Sequence, residues 1–327
     1  MPRNSTVTLT TVNNADNYGP TGLPVIRGMV TIDGNNSTIK RAPTAPSFRV
    51  LAIGSGAECT LRETTISGGN SSLVGGGISN DGVLILVEST LSGNRTSFIG
   101  GGVFNDGTLQ VIHSTISGNR AAFGAGVANG NDPNTAAVIR NSTISANEAS
   151  DDGGGVFGVG DNTNVGIFNS TLSGNQANDQ GGGVLNEGSL VTLIDTVITG
   201  NTALSGSEVF NCVTHGGIVN GERLNVLGHK GLTNVEAFVD FTPGVTDITA
   251  TSNGNSPTAL NGILNTTLAN NGGPTRTHAL VAGSPAVDAV NDGTCPPPVR
   301  DQRGVRRPQD GNGDGGTACD IGSFERR

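Results

Sequence analysis

The 327-residue chain has no tryptophan, one tyrosine, two lysines and only 14% charged residues. Soluble globular domains usually carry about 25% charged and 45–50% apolar residues; here the hydrophobic share is 34%. Scarce rings argue against a large aromatic-cored enzyme or a helical bundle. No apolar run approaches the roughly 18–20 residues of a membrane span. A formal charge of −9 argues against a nucleic-acid binder, which needs a basic face. The opening Met1-Pro2-Arg3-Asn4 carries no apolar signal-peptide core. Four cysteines allow two bridges at most. Cys295 and Cys319 bracket a Pro/Gly/Arg-rich loop and are expected to pair, which suggests an oxidising compartment.

What replaces the missing residues is 52 glycines together with Asn, Ser and Thr, and they recur. One phrase appears as Thr65-Ile66-Ser67, Thr90-Leu91-Ser92, Thr115-Ile116-Ser117, Thr143-Ile144-Ser145 and Thr171-Leu172-Ser173, with a degenerate copy at Val197-Ile198-Thr199. Its central residues (66, 91, 116, 144, 172, 198) are spaced by 25, 25, 28, 28 and 26. A second phrase interleaves with it, from Gly76-Gly77-Ile78-Ser79-Asn80 to Gly182-Gly183-Val184-Leu185-Asn186. Two phrases sharing one period mark a repeat architecture.

Within each period short apolar alternations (Val83, Ile85, Val87; Leu109, Val111) are separated by Gly, Asn or Asp, and none has a helical period. Three short strands and tight corners per period describe one coil of a solenoid, with coils about 4.8 Å apart. The expectation is an all-β, right-handed parallel β-helix of about seven or eight coils. Residues 1–211 form the coils, with one or two early coils over residues 30–53. Residues 212–327 form a loop-rich cap and a disulfide-closed tail packed on the solenoid, with Leu224, Val226, Val235, Phe238 and Phe241 covering the last coil. Stacking turns Asn70, Asn94, Asn119, Asn147, Asn175 and Asn201 into one ladder. Asn80, Asn105, Asn129, Asn186 and Asn211 form a second, broken at Gly158.

The Gly-Gly-Gly-Val phrase is similar to the repeats of polymorphic outer-membrane proteins. The tail phrases Leu268-Ala269-Asn270-Asn271-Gly272-Gly273-Pro274-Thr275, Gly283-Ser284-Pro285-Ala286-Val287-Asp288, Asp301-Gln302-Arg303-Gly304 and Cys319-Asp320-Ile321-Gly322-Ser323-Phe324-Glu325 resemble the choice-of-anchor Q family. That resemblance covers about residues 20–325. It implies an exported bacterial surface protein and supplies no catalytic residues; the sequence departs from the family in showing no leader region and in stopping at Arg327, where an anchor would begin.

Several columns bear chemistry. Glu63, Glu88 and His113, followed by Asn141 and Asn169, stack two residues before each Thr. Two carboxylates and an imidazole in a row suit acid–base work or a metal; Asn in the later coils suits a polar turn ladder. Asp151 and Asp179 occupy equivalent positions on adjacent coils, with Asp152 beside them. They resemble the Ca²⁺-holding carboxylates of β-helix pectate lyases, although Arg95, Arg120 and Glu148 fall at a different corner and read as a solvated charge ladder. Aromatic platforms for a saccharide are few, with Tyr18 the only tyrosine.

Asp310-Gly311-Asn312-Gly313-Asp314-Gly315 matches the first half of a calcium loop. Its closing position is Ile321, with Asp320 next door as the substitute ligand to a structural Ca²⁺. Cys59 and Cys212 lie too far apart to pair and read as buried free thiols. His215, His229 and His278 have no metal-ligand spacing. With Ile66 and its equivalents inward, Thr65, Ser67, Thr90, Ser92, Thr115, Ser117, Thr143, Ser145, Thr171 and Ser173 form an outward hydroxyl grid, the pattern of ice-binding solenoids. The leading expectation is an exported adhesin-type surface module, extracellular or cell-surface, that binds polysaccharide or cell-surface glycan and no nucleic acid. The alternatives are a polysaccharide lyase or hydrolase, and ice binding.

Overall fold

The computed structural model describes residues 1–16, 19–130, 132–290, 295 and 299–327. Tyr18 lies outside them. The described chain is an all-β parallel β-helix of about eight turns.

Each coil is made by alternation. Along Val83–Val87, Leu84 and Leu86 are fully buried while Val83, Ile85 and Val87 face outward. The strand pairs in parallel with Thr108–Ile112, which pairs with Ala136–Arg140, and the ladder continues through Asn164–Phe168 and Leu190–Ile194. This is the first face. Thr90–Ser92, Thr115–Ser117, Thr143–Ser145 and Thr171–Ser173 stack in register as the second. Ile78–Asn80, Val103–Asn105, Val127–Asn129, Val156–Val159, Val184–Glu187 and Val209–Asn211 stack as the third. Inward Ile, Leu and Val from all three form one continuous apolar core.

The corner between the first and second faces is a left-handed turn in six successive coils. Glu63, Glu88, His113, Asn141, Asn169 and Asp195 have φ between 43° and 50°, a region that Asn and Asp tolerate best and bulkier residues rarely enter. At the Gly-Gly phrase a side chain has no room. A Cβ on Gly155 would sit 2.5 Å from the Gly183 carbonyl oxygen of the next coil. The 28-residue spacing is absorbed at the third corner: Asn129 to Ala136 is a step of seven, where Asn105 to Thr108 is a step of three.

Three findings differ from the sequence-based expectation. First, Asn70 is not in the inner ladder. The extra glycine at Gly68-Gly69 puts Gly69 there, its N–H donating to Asn94 Oδ1 at 3.0 Å, and leaves Asn70 paired under exposed Arg95. Second, coil pairing outlasts the legible repeat. Ile218–Gly221, Val226–Leu227, Phe238–Val239 and Ile248–Thr249 extend the three faces beyond Asn211. Third, Val226, Phe238 and Phe241 are buried as expected, but Val235 is 80% exposed.

The described residues between 263 and 324 fold back along the second face and have their own small core. Ile263, Leu264, Leu280, Ala286, Val290, Ile321 and Phe324 pack with Val197 and Val226 of the solenoid. The Cys295–Cys319 disulfide closes this tail.

Candidate functional site

The tail decides what the second face can do. Gln302 is buried; its Oε1 accepts from Thr143 Oγ1 at 2.7 Å, and its Nε2 lies 3.0 Å from Thr115 Oγ1 and 2.8 Å from Thr275 Oγ1. Thr171 Oγ1 accepts from the Ser323 N–H, and Ser145 Oγ lies 2.8 Å from His278 Nε2. Burial holds the His278 imidazole below its ordinary pKa, and its Nδ1 lies 2.8 Å from the Asn265 carbonyl, so it is a neutral structural ring. Thr115, Thr143, Ser145, Thr171 and Ser173 are therefore buried, and only Thr65, Ser67, Thr90, Ser92 and Ser117 remain half-exposed. The open hydroxyl grid expected from the sequence is cut short, because the tail uses those hydroxyls as its docking surface.

The Glu63–Glu88–His113 column sits at the left-handed corner. His113 Nε2 lies 3.2 Å from Asn141 Nδ2, and its carbonyl accepts from Thr275 Oγ1 at 2.9 Å. Burial lowers the His113 pKa, with Glu88 and Asp301 opposing. The tail thus lies against this column at His113 and at Asn141, which donates to the Arg300 carbonyl. In the calcium-type loop, Asp310 Oδ1 accepts from the Gly313 N–H and Oδ2 from the Gly315 N–H, while Asn312 and Asp314 cap neighbouring amides. Asp320 points elsewhere: its oxygens accept from the Asp288 and Arg326 N–H groups. Burial pushes its carboxyl up to about 6. As a substitute for the missing closing ligand, Asp320 is already committed.

The corner before the Gly-Gly phrase is different. Backbone pairing links Ser71 to Ser97, Phe98 to Ala122, Ala122 to Asp151, Asp151 to Asp179, and Asp179 to Ser205. One exposed edge thus runs along the solenoid axis. It begins with Leu73 and Phe98, 48% and 53% exposed, and Phe98 meets Phe123 edge-to-face with centroids 6.2 Å apart. Two coils on, Asp151, Asp152 and Asp179 place one carboxylate oxygen each within 4.8 Å of one another. Burial raises the Asp152 pKa, with Asp151, Asp179 and Glu187 adding to it against a hydrogen bond from the Gln180 N–H. The sequence reading found the Asp trio and missed the apolar residues in line with it. Counting back from each Gly-Gly phrase, as was done for the Asp residues, lands on Leu73 and Phe98.

A second acidic column also escaped the sequence reading. Asp81 and Asp106 follow the outer Asn ladder and line an open pocket of about 390 Å³ with Met29, Glu58 and Asn134. Burial, then Asp132 and Asp81, pushes the Asp106 carboxyl up to about 6. Arg120 and Glu148 form an exposed ion pair at 2.7 Å, a solvated ladder.

Comparison with family models, with curated proteins and with solved structures returns no match. Among the described residues no helix is long and apolar enough to cross a membrane.

Proposed function

We propose that the chain is an exported surface module of the bacterial adhesin type, a rigid solenoid that holds a glycan along the edge from Leu73 to Asp179. The observation carrying this reading is the alignment of exposed Leu73 and Phe98, with half-buried Phe123 beside Phe98, and the Asp151–Asp152–Asp179 trio along one edge. A pyranose has an apolar C–H face and a rim of hydroxyls. Apolar rings suit the first and carboxylate acceptors the second. Exposed large apolar side chains such as Leu73 and Phe98 lying together are otherwise costly on a protein surface and mark interaction sites. The Cys295–Cys319 disulfide fits an oxidising compartment, and the tail phrases resembling the choice-of-anchor Q family fit attachment to a cell surface.

The test is a panel of immobilised neutral and acidic polysaccharides, with Ca²⁺ or with EDTA. Retention on at least one, reduced about tenfold or more in Phe98→Ala and in Asp151→Asn/Asp179→Asn, is expected from the loss of a stacking or hydrogen-bonding contact. Retention equal in wild type and both variants would dismiss this edge. A lyase reading is favoured by the same trio, whose spacing suits a divalent cation. Release of unsaturated ends from an acidic polysaccharide, abolished by EDTA and by Asp151→Asn, would replace the adhesin reading with that one.

A further inference from the structure

The third corner column runs Asp81, Asp106, Gly130, Val159, Glu187 and Cys212, each directly after a position of the outer ladder. This coil thus offers a thiol where the one before it offers the Glu187 carboxylate. The sequence suggested a buried thiol here, but the structure places Cys212 at an exposed corner, itself only half-buried. It opens the short turn Val213–His215, whose three residues are all exposed. The turn folds back so that Cys212 Sγ lies 3.2 Å from His215 Nδ1 and 3.2 Å from Thr214 Oγ1. His215 and Thr214 line an open groove of about 800 Å³ with Asp161, Glu187 and Pro133. A nucleophile and a base within hydrogen-bond reach on an accessible surface is the arrangement of an activated thiol.

No internal partner exists for it. Cys295 and Cys319 are bonded to each other. Cys59 is fully buried, and burial pushes its thiol up to about 11. Without an internal partner, Cys212 can form a disulfide only with an outside sulfur.

We propose that Cys212, with His215 as its base, is a covalent attachment point that reacts by exchange with an external disulfide. His215 Nδ1 takes the thiol proton. The thiolate attacks one sulfur of R–S–S–R, that S–S bond breaks, a Cys212–S–S–R bond forms, and R–S⁻ leaves and takes up a proton. Asp161 and Glu187 are the charged groups that line the groove with His215. This inference is independent of the glycan reading.

The test uses the full chain without reductant and a chromogenic aromatic disulfide, followed by oxidised glutathione. One equivalent of leaving thiol per native chain is expected, absent in Cys212→Ser, with Cys59 reacting only after denaturation. His215→Ala should slow the reaction at pH 7 by about tenfold or more, move the pH–rate profile upward and leave the melting temperature unchanged; added imidazole should restore part of the rate. Reaction no faster than that of free cysteine, or equal rates in wild type and His215→Ala, would overturn the proposal.

Discussion

At the residue scale, the fold is held by side chains that act as backbone. Asn119 is fully buried: its Oδ1 accepts from the Asn94 N–H and Nδ2, and its Nδ2 donates to the Leu91 carbonyl and to Asn147 Oδ1. The ladder runs to Asn201 and stops at Glu208, whose buried carboxylate accepts from the Gly200 N–H and Asn201 Nδ2. Asn119→Ala orphans donors and acceptors on both neighbouring coils. Since each buried unsatisfied group costs about 1–3 kcal/mol, a loss of roughly 3 kcal/mol or more in denaturant unfolding is expected. Asn70→Ala, at the half-exposed position outside the ladder, should cost under about 1 kcal/mol; equal costs would show that the inner ladder is not the source of the stability.

Asp106 makes a pH-dependent case. Its folded pKa of about 6 lies above the ordinary carboxylate range. Its contribution is therefore fully present below about pH 4, near the unfolded value, and is lost as pH rises through 6. Asp106→Asn should raise the melting temperature at pH 8 and leave it unchanged at pH 4. A gain of the same size at both pH values would count against an ionised, partly desolvated Asp106.

At the scale of elements, tail and solenoid meet through polar contacts along the second face and through an apolar contact at Val197 and Val226. Gln302, Ser323 and His278 bind hydroxyls of the second face, and the tail core is distinct from the main core. Inside the tail, buried Arg307 pairs with Glu325 at 3.0 Å, and the Arg303 guanidinium lies 3.5 Å over the Phe324 ring. Closing the 24-residue loop between Cys295 and Cys319 is worth about 3 kcal/mol on loop entropy. Cys295→Ser should therefore speed amide exchange in residues 319–325 while residues 94–201 keep their protection. Uniform acceleration along the chain would mean that tail and coils form one cooperative unit.

At the scale of the whole molecule, each coil touches mainly its neighbours, so stability is close to a sum over coils and their interfaces. Deleting residues 67–91, one full 25-residue period, joins Ile66 to Ser92 in phase and leaves the tail contacts from Thr115 onward intact. The shortened chain should keep its β-sheet circular dichroism and a cooperative melt. An aggregated or unstructured product would refute the near-additive account. The deletion also removes Leu73 and keeps Phe98 and the Asp trio, so it shortens the proposed glycan edge without breaking it.

The repeat, the three faces and the inward Ile, Leu and Val were readable in the residues, because a solenoid maps period onto stacking one coil at a time. The Asp151–Asp179 neighbourhood was readable for the same reason. Leu73 and Phe98 were within reach of the same counting, which lands next on Ala122 beside Phe123, whereas Gly68-Gly69 misled the reading of the Asn ladder by shifting Asn70 one place. Beyond Asn211 the phrases fade while strand pairing continues, since backbone hydrogen bonds need no particular side chain. What only the tertiary structure decided concerns contacts between distant segments. Gln302 reaches Thr143 across 159 positions, and the tail covers half of the hydroxyl grid. Cys212 turns out beside an exposed groove with His215. Periodicity governs neighbours related by one coil, whereas a non-repeating tail docks by local shape and hydrogen-bond matching that no period encodes.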